Sequence, residues 1–193
     1  MCGIAGSFKI NLSAISDLDH TLNIMNNLQK HRGPDGEGVW LHENEHVGLA
    51  HVRLSIIDLE SGQQPMLSNS KNAITYNGEI YNFEELKKEI GESNFSTDSD
   101  TEVILKAFHK WGIKCIDKFN GMFLIVILNK EKNHLTLIRD RAGVKPCFYY
   151  HKDDLFLFSS ELKSFHEHPG FEKKINFDSL GSYLQYGYIF EPN

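Results

Sequence analysis

Apolar positions recur along the chain with two distinct periods. Between Ser16 and Lys30, Leu18, Leu22, Met25 and Leu28 fall at helical spacing after Ser and Asp start signals, which predicts an amphipathic helix. Val103, Ile104, Ala107, Phe108 and Trp111 form one face of a second helix over Asp100 to Trp111. A shorter helix is predicted over Phe83 to Ile90, and an amphipathic stretch over Asp178 to Tyr188 carries Leu180, Tyr183, Leu184 and Tyr186. The remainder reads as short strands with turn-rich flanks: Gly3–Phe8, Gly38–His42, Val47–Leu54, Ala73–Tyr76, Met122–Leu128, His134–Arg139, Cys147–His151 and Leu155–Ser159. Asn129 to Asn133 reads as a hairpin, and turn chemistry gathers at Arg32 to Gly38 and Ser61 to Pro65. The run Met122–Leu128 has no polar alternation, so both faces of that strand are expected to be buried. A central strand covered on both sides, with helices between groups of hairpins, predicts stacked antiparallel sheets with outer helices.

Composition narrows the function. At 193 residues the chain suits one domain with a core of its own. Its formal net charge is -6, with Lys and Arg scattered, which argues against a nucleic-acid or anionic-membrane surface. No apolar run approaches the roughly 20 residues a membrane helix needs. No basic region followed by a long apolar stretch opens the chain, so a cytoplasmic location is expected. Three cysteines without CxxC spacing argue for a reducing compartment and against a zinc site. Ten histidines, His42, His46, His51 and the pair His166/His168 among them, lack metal-spaced partners and read as solvated. Cys115, in a helical stretch, reads as core. Neither GxGxxG nor GxxxxGK[ST] occurs, so a doubly wound nucleotide fold fits poorly. The amphipathic stretch ending near Glu191–Pro192–Asn193 without a polar tail reads as the end of a domain cut from a longer protein.

The sharpest chemical feature is Met1–Cys2–Gly3–Ile4. Cys is small enough at the second position for the initiator methionine to be removed, which leaves Cys2 first. Its thiol, of ordinary pKa about 8.5, then sits beside a free α-amine of pKa about 7.7–8.0. At pH 7 about one-seventh of that amine is unprotonated and able to act as a built-in general base. With Met1 retained, the Cys2 nitrogen is an amide with no useful basicity. The plainer reading, a small apolar residue starting a strand, would be preferred for Met–Cys in isolation.

Seven segments in order tip the balance: Met1–Gly6, His31–Gly36, His51–Asp58, Tyr76–Asn82, Ser99–Glu102, Phe119–Phe123 and Arg139–Pro146. Together they resemble the class II glutamine amidotransferase domain of the N-terminal-nucleophile hydrolases. The nearest branch is the glutaminase half of glutamine-hydrolysing asparagine synthetase, to which Leu54–Asp58 and the Arg139–Pro146 motif point. The resemblance implies an α+β fold, a four-layer α/β/β/α sandwich of two antiparallel sheets flanked by helices. It implies a single domain over residues 2–193, the N-terminal part of a longer synthetase chain. The implied reaction is hydrolysis of L-glutamine to glutamate and ammonia through a thioester on Cys2. No cofactor or metal is expected for that step, and ATP and Mg only in a C-terminal synthetase domain in cis. A homodimer is compatible with this reading.

The resemblance also assigns roles. Asn77, through its side-chain NH2, and Gly78, through its backbone N–H, become the oxyanion donors; alone, Asn–Gly after a strand reads as a tight turn. Arg53 becomes the clamp on the glutamine carboxylate, for which its planar fork is suited, rather than a surface arginine between apolar neighbours. Leu54, Ile56 and Ile57 line the pocket, Asp100 pairs with the glutamine ammonium, and Glu79 completes the site. Ser99–Asp100–Thr101–Glu102 also reads as a capping box, with Ser99 as N-cap and Glu102 at the third helical position. Arg139–Pro146 carries no nucleophile and takes a structural or interdomain role. Cys147 and Ala142 depart from the family's usual large apolar and aromatic residues. Two rivals remain: an amidotransferase domain serving another acceptor, as in sugar modification, and a non-catalytic docking or regulatory domain that keeps Met1.

Overall fold

In the computed structural model, which describes residues 1–55, 61–68, 71–92 and 95–190, the apolar run 122–128 lies in strand β6 (Gly121–Asn129). Its side chains are buried on both faces, and they divide by parity. Phe123, Ile125 and Ile127 pack with Val103, Ile104, Leu105 and Leu86, the apolar faces of helices α3 (Asp100–Trp111) and α2 (Phe83–Ile90). Leu124, Val126 and Leu128 instead meet Ile4, Phe8, Val47, Leu49 and Phe158, the inner face of a second sheet. The far face of that sheet, with Ala5, Ala50 and Leu157, covers Leu18, Leu22 and Met25 of helix α1 (Leu18–Gln29). Period-2 side chains on one strand thus generate a helix–sheet–sheet–helix stack.

The first sheet has five strands in the order β2 (Gly36–Leu41), β3 (Val47–Arg53), β1 (Gly3–Lys9), β9 (Leu155–Ser159), β8 (Phe148–Lys152). The second has four, β4 (Met66–Ser68), β5 (Asn72–Ile80), β6 and β7 (His134–Arg139). All pairings between these strands are antiparallel. Helix α4 (Phe177–Tyr186), the amphipathic stretch of the sequence, has no buried residue. No helix among the described residues is long and apolar enough to cross a membrane.

Three local readings are corrected. Strand β5 does not end at Tyr76: it runs through Asn77–Gly78 to Ile80, which pairs with Gly121 of β6. Gly78 is required there by close approach rather than by a turn, since a Cβ would lie 2.3 Å from the Met122 carbonyl oxygen and 2.7 Å from Phe123 Cα. The Ser99 hydroxyl caps α3 by accepting from Thr101 N. Glu102, however, reaches past Ser99 to accept from the backbone N–H groups of Ser96 and Thr97. His46, His51 and His168 are buried rather than solvated. Cys115 is buried, as expected, and burial pushes its thiol up to about 12.

The two most perturbed histidines are held neutral chiefly by burial. His168 Nδ1 accepts from Gly170 N, so its protonated Nε2 donates to Ser7 Oγ at 3.0 Å. Thr75 Oγ1 donates to Ala50 O, so it accepts from His51 Nδ1 at 3.3 Å. Burial lowers His168 to about 4; burial, then the nearby Arg53 charge, lowers His51 to about 3. Below pH 6.5 the unfolded chain binds protons that these rings refuse, so stability falls as pH falls toward 4 and then 3. Each histidine contributes a slope of up to about 1.4 kcal/mol per pH unit inside its window. Urea unfolding at pH 7, 6 and 5 checks this: a His168→Gln variant should lose less stability over that range than the wild type, and parallel curves would contradict the assignment.

Candidate functional site

Cys2 immediately precedes β1, and Gly3 pairs with Val52 of β3, which sets Cys2 beside the end of that strand. Its sulfur lies 3.4 Å from Leu54 N, which donates to it, and 3.7 Å from Leu54 O. Arg32 Nε donates to the Cys2 carbonyl at 3.0 Å, while Arg32 Nη1 pairs with Glu161. The segment His31–Gly36 is pressed backbone to backbone against β3. A Cβ on Gly33 would lie 2.4 Å from Arg53 N, and Asp35 N donates to Arg53 O. Arg53 ends β3, is 5% exposed, and faces the same cavity as Cys2.

The second sheet supplies the opposite wall of this cavity of about 160 Å³. Asn77 is buried, and its Nδ2 finds no hydrogen-bond partner among the described residues. Phe123, opposite Gly78, spends both its N–H and its carbonyl on Asp140. Ladder alternation therefore turns the N–H groups of Tyr76, Gly78 and Ile80 away from β6. Tyr76 N donates to Gln64 Oε1 and Ile80 N to Asp100 Oδ2. Gly78 N–H lies between them on the same edge, beyond the end of β4 at its Met66–Ile74 pair. Asn77 and Gly78 both form part of the cavity wall, and Asn77 Nδ2 is without a partner among the described residues.

Asp100, the first residue of α3, accepts from the Tyr76 hydroxyl at 2.8 Å and from Ile80 N at 3.2 Å. Burial raises its pKa above the usual carboxylate value, against the lowering effect of those hydrogen bonds, and the nearby Glu79 charge raises it further. Burial, then Asp100, pushes the Tyr76 phenol well above its ordinary value. Glu79 lines the cavity too. Two carboxylates against a low-dielectric wall, with no Lys or Arg ion-paired to Asp100 among the described residues, make a place where a ligand cation would be welcome.

Cys2, Arg53, Leu54, Asn77, Gly78, Glu79 and Asp100 thus line one cavity; Ile56 and Ile57 lie outside the described residues. Sequence reasoning missed several further lining residues, Gln64, Tyr76 and Lys145 among them. Lys145 sits in the turn Arg139–Pro146, which brings it to the cavity. Its context, a lone lysine after Gly143–Val144, offers no periodicity from which burial could be read.

A layered α/β/β/α sandwich, with Cys2 at the head of the middle strand of one sheet, thus frames this cavity. The chain belongs to the glutamine amidotransferase domain family, which matches residues 1–193. It is 41% identical to the putative asparagine synthetase (glutamine-hydrolyzing) 2 of Methanocaldococcus jannaschii, over 100% of this chain and 40% of that protein. It is 36% identical to asparagine synthetase (glutamine-hydrolyzing) 3 of Bacillus subtilis, over 97% of this chain and 31% of that protein. The chain therefore spans well under half the length of these curated relatives. Among solved structures, the B. subtilis glutamine phosphoribosylpyrophosphate amidotransferase complexed with ADP and GMP superposes with a TM-score of 0.72 at 18% identity, over 86% of this chain and 43% of that one. That likeness supports the sandwich fold. The chain is thus an enzyme domain of the glutamine amidotransferase type, homologous to the glutaminase domains of asparagine synthetases.

Gly78→Ala should lower stability by about 1–3 kcal/mol in chemical denaturation, because the added Cβ meets β6 backbone that cannot yield. A stability equal to wild type would mean that β5 and β6 are not so closely apposed at this pair.

Proposed function

We propose that the chain, once Met1 is removed, hydrolyses L-glutamine with Cys2 as nucleophile. One observation carries the reading: Cys2, the donor pair of Asn77 and Gly78, and the opposite charges of Arg53 and Asp100 line a single cavity. Met1 shares that cavity and is 58% exposed, so its peptide bond is within reach of an aminopeptidase. Removal liberates the α-amine of Cys2 and clears space for substrate.

The Cys2 α-amine takes the thiol proton, and the sulfur attacks the side-chain amide carbon of glutamine. The resulting oxyanion is met by Asn77 Nδ2 and Gly78 N–H. Collapse of the tetrahedral adduct breaks the C–N bond, and the α-ammonium returns its proton to the departing nitrogen, which leaves as ammonia. Water, activated by the same amine, attacks the thioester and releases glutamate and the thiol. Arg53 forks onto the substrate carboxylate; Asp100 and Glu79 receive its ammonium; Leu54, Ile56 and Ile57 line the pocket. These are all protein groups, so the step needs no cofactor.

The ammonia would pass to an ATP- and Mg-dependent asparagine synthetase domain in cis, in keeping with the greater length and the names of the relatives. Residues 2–193 would then be its N-terminal glutaminase domain, in the cytoplasm. The exposed apolar side chains of Ile175, Phe177 and Leu184 on and beside α4 offer such a domain a surface.

Intact mass should lack the initiator methionine, and glutamate release should vanish in Cys2→Ala; release that survives would refute the nucleophile. Asn77→Ala should lower kcat by about 10²–10³ if its amide meets the oxyanion. Arg53→Lys should chiefly raise KM for glutamine, because the bidentate fork is lost, and an unchanged KM would remove Arg53 from the substrate site.

A further inference from the structure

Lys145 projects from a turn the proposed chemistry does not use. It is 4% exposed, the one lysine so buried among the described residues, and it lines the cavity with Cys2, Asn77, Gly78 and Glu79. Its ammonium forms no hydrogen bond or ion pair within the described residues, whereas the other cations near Cys2 are committed. Arg32 spends Nε on the Cys2 carbonyl and Nη1 on Glu161. Arg53, on the reading above, is matched to the substrate carboxylate.

The turn is built to hold Lys145 in place. Asp140 Oδ1 accepts from Val144 N, and Oδ2 accepts from Lys145 N and from Phe123 N. That carboxylate is occupied by backbone donors and makes no ion pair with the ammonium. Arg139 grips the other side, donating to the carbonyls of Lys145 and Gly143 at 2.7 Å each. Gly143 takes the positive φ of 63° that the turn needs. Because Phe123 faces Gly78 across the β5–β6 ladder, the turn is tied directly behind the donor wall.

We propose that Lys145 is a positioned positive charge that activates Cys2, stabilising the thiolate that forms when the thiol gives up its proton. It acts through Cys2 and not on glutamine, and the inference rests on Cys2 being the nucleophile. The groups facing Lys145 are Cys2 on β1, Arg32 beside α1, Glu79 on β5 and Asp140 in its own turn. Burial lowers the Lys145 pKa, and the Arg32 charge adds to that; Cys2, Glu79 and Asp140 oppose it. The same cavity holds Arg53, Asp100 and Tyr76. A fixed ammonium beside the nucleophile also disfavours a second positive charge on the Cys2 α-amine, which keeps that amine available as base.

The test is the pH dependence of Cys2 alkylation by iodoacetamide, located by peptide mass spectrometry, in wild type, Lys145→Met and Lys145→Arg. The midpoint for Cys2 should move up by about one pH unit in Lys145→Met, slowing alkylation near pH 7 about tenfold, and should return toward wild type in Lys145→Arg. Continued protection of the buried Cys115 reports that each variant is folded; if Lys145→Met exposes it, Lys145→Gln carries the same readout. In glutamine hydrolysis kcat should fall about tenfold while KM stays within about twofold. An unmoved midpoint in a folded charge-free variant would overturn the proposal, as would a rise in KM with an unchanged profile. A shifted midpoint in protein that does not hydrolyse glutamine would uphold this role of Lys145 and overturn the glutaminase reading instead.

Discussion

On the proposed reading the nucleophile heads the mature chain and is tethered on one side only, and the packing around Cys2 answers that constraint. Cys2 gains its second and third anchors from strand pairing. β1 lies inside its sheet, flanked by β3 and β9, so the residues that follow Cys2 are held by ladders on both edges. Ile4 exchanges hydrogen bonds with Ser160, donating to its hydroxyl and accepting from its N–H. Arg32 secures the carbonyl of Cys2 itself. Small residues admit this closeness: a Cβ on Gly6 would strike the Phe158 ring, and one on Gly3 would touch Val52 and Gln29. A terminal residue that would ordinarily fray is thereby fixed well enough to be aimed.

The opposite wall is governed by electrostatics. Burying Lys145 and Asp100 carries a desolvation penalty that their surroundings offset only in part. Asp100 makes this visible, since burial outweighs the Tyr76 and Ile80 hydrogen bonds in setting its pKa. Such groups persist where a ligand of opposite charge completes them. An α-amino acid brings one carboxylate and one ammonium, which suits an Arg at one end and acidic groups at the other. On the proposed reading, the burial that costs the empty protein stability is what selects substrate.

Much of this was legible in the sequence. The parity of Met122–Leu128 announced a strand covered on both faces, and the helical spacing around Leu22 and Val103 located α1 and α3 closely. What failed to read did so for physical reasons. Asn77–Gly78 carries the local preference of a turn, but pairing with Leu124 and Phe123 overrides it. Of the histidines that proved buried, His51 lies between apolar residues in a pattern that looks the same whether the ring is satisfied or solvated, while His46 and His168 have polar neighbours that suggest solvent. Glu102 was read as closing a box on Ser99, but the chain before the helix offers two backbone donors, at Ser96 and Thr97, closer to its carboxylate. Of the site, Cys2, Arg53, Asn77, Gly78, Glu79 and Asp100 were reached through whole motifs, because residues from four separate segments converge only in three dimensions.

Lys145 illustrates the limit of residue-by-residue reading. Judged alone, Arg139–Pro146 is a polar turn without a nucleophile. Its place emerges from the two bonds between Asp140 and Phe123, one through the carboxylate and one through the backbone N–H, which attach the turn to the strand behind Gly78. Two further bonds from the same carboxylate fix Val144 and Lys145, so one acidic side chain converts a flexible connection into a rigid mount. A charge mounted this way needs no reorganisation when a thiolate appears beside it, whereas a mobile surface lysine would have to give up solvent and rotamer freedom at that moment. On the proposed role of Lys145, preorganisation of this kind accounts for a turn outside both sheet ladders being tied so tightly to the cavity between them.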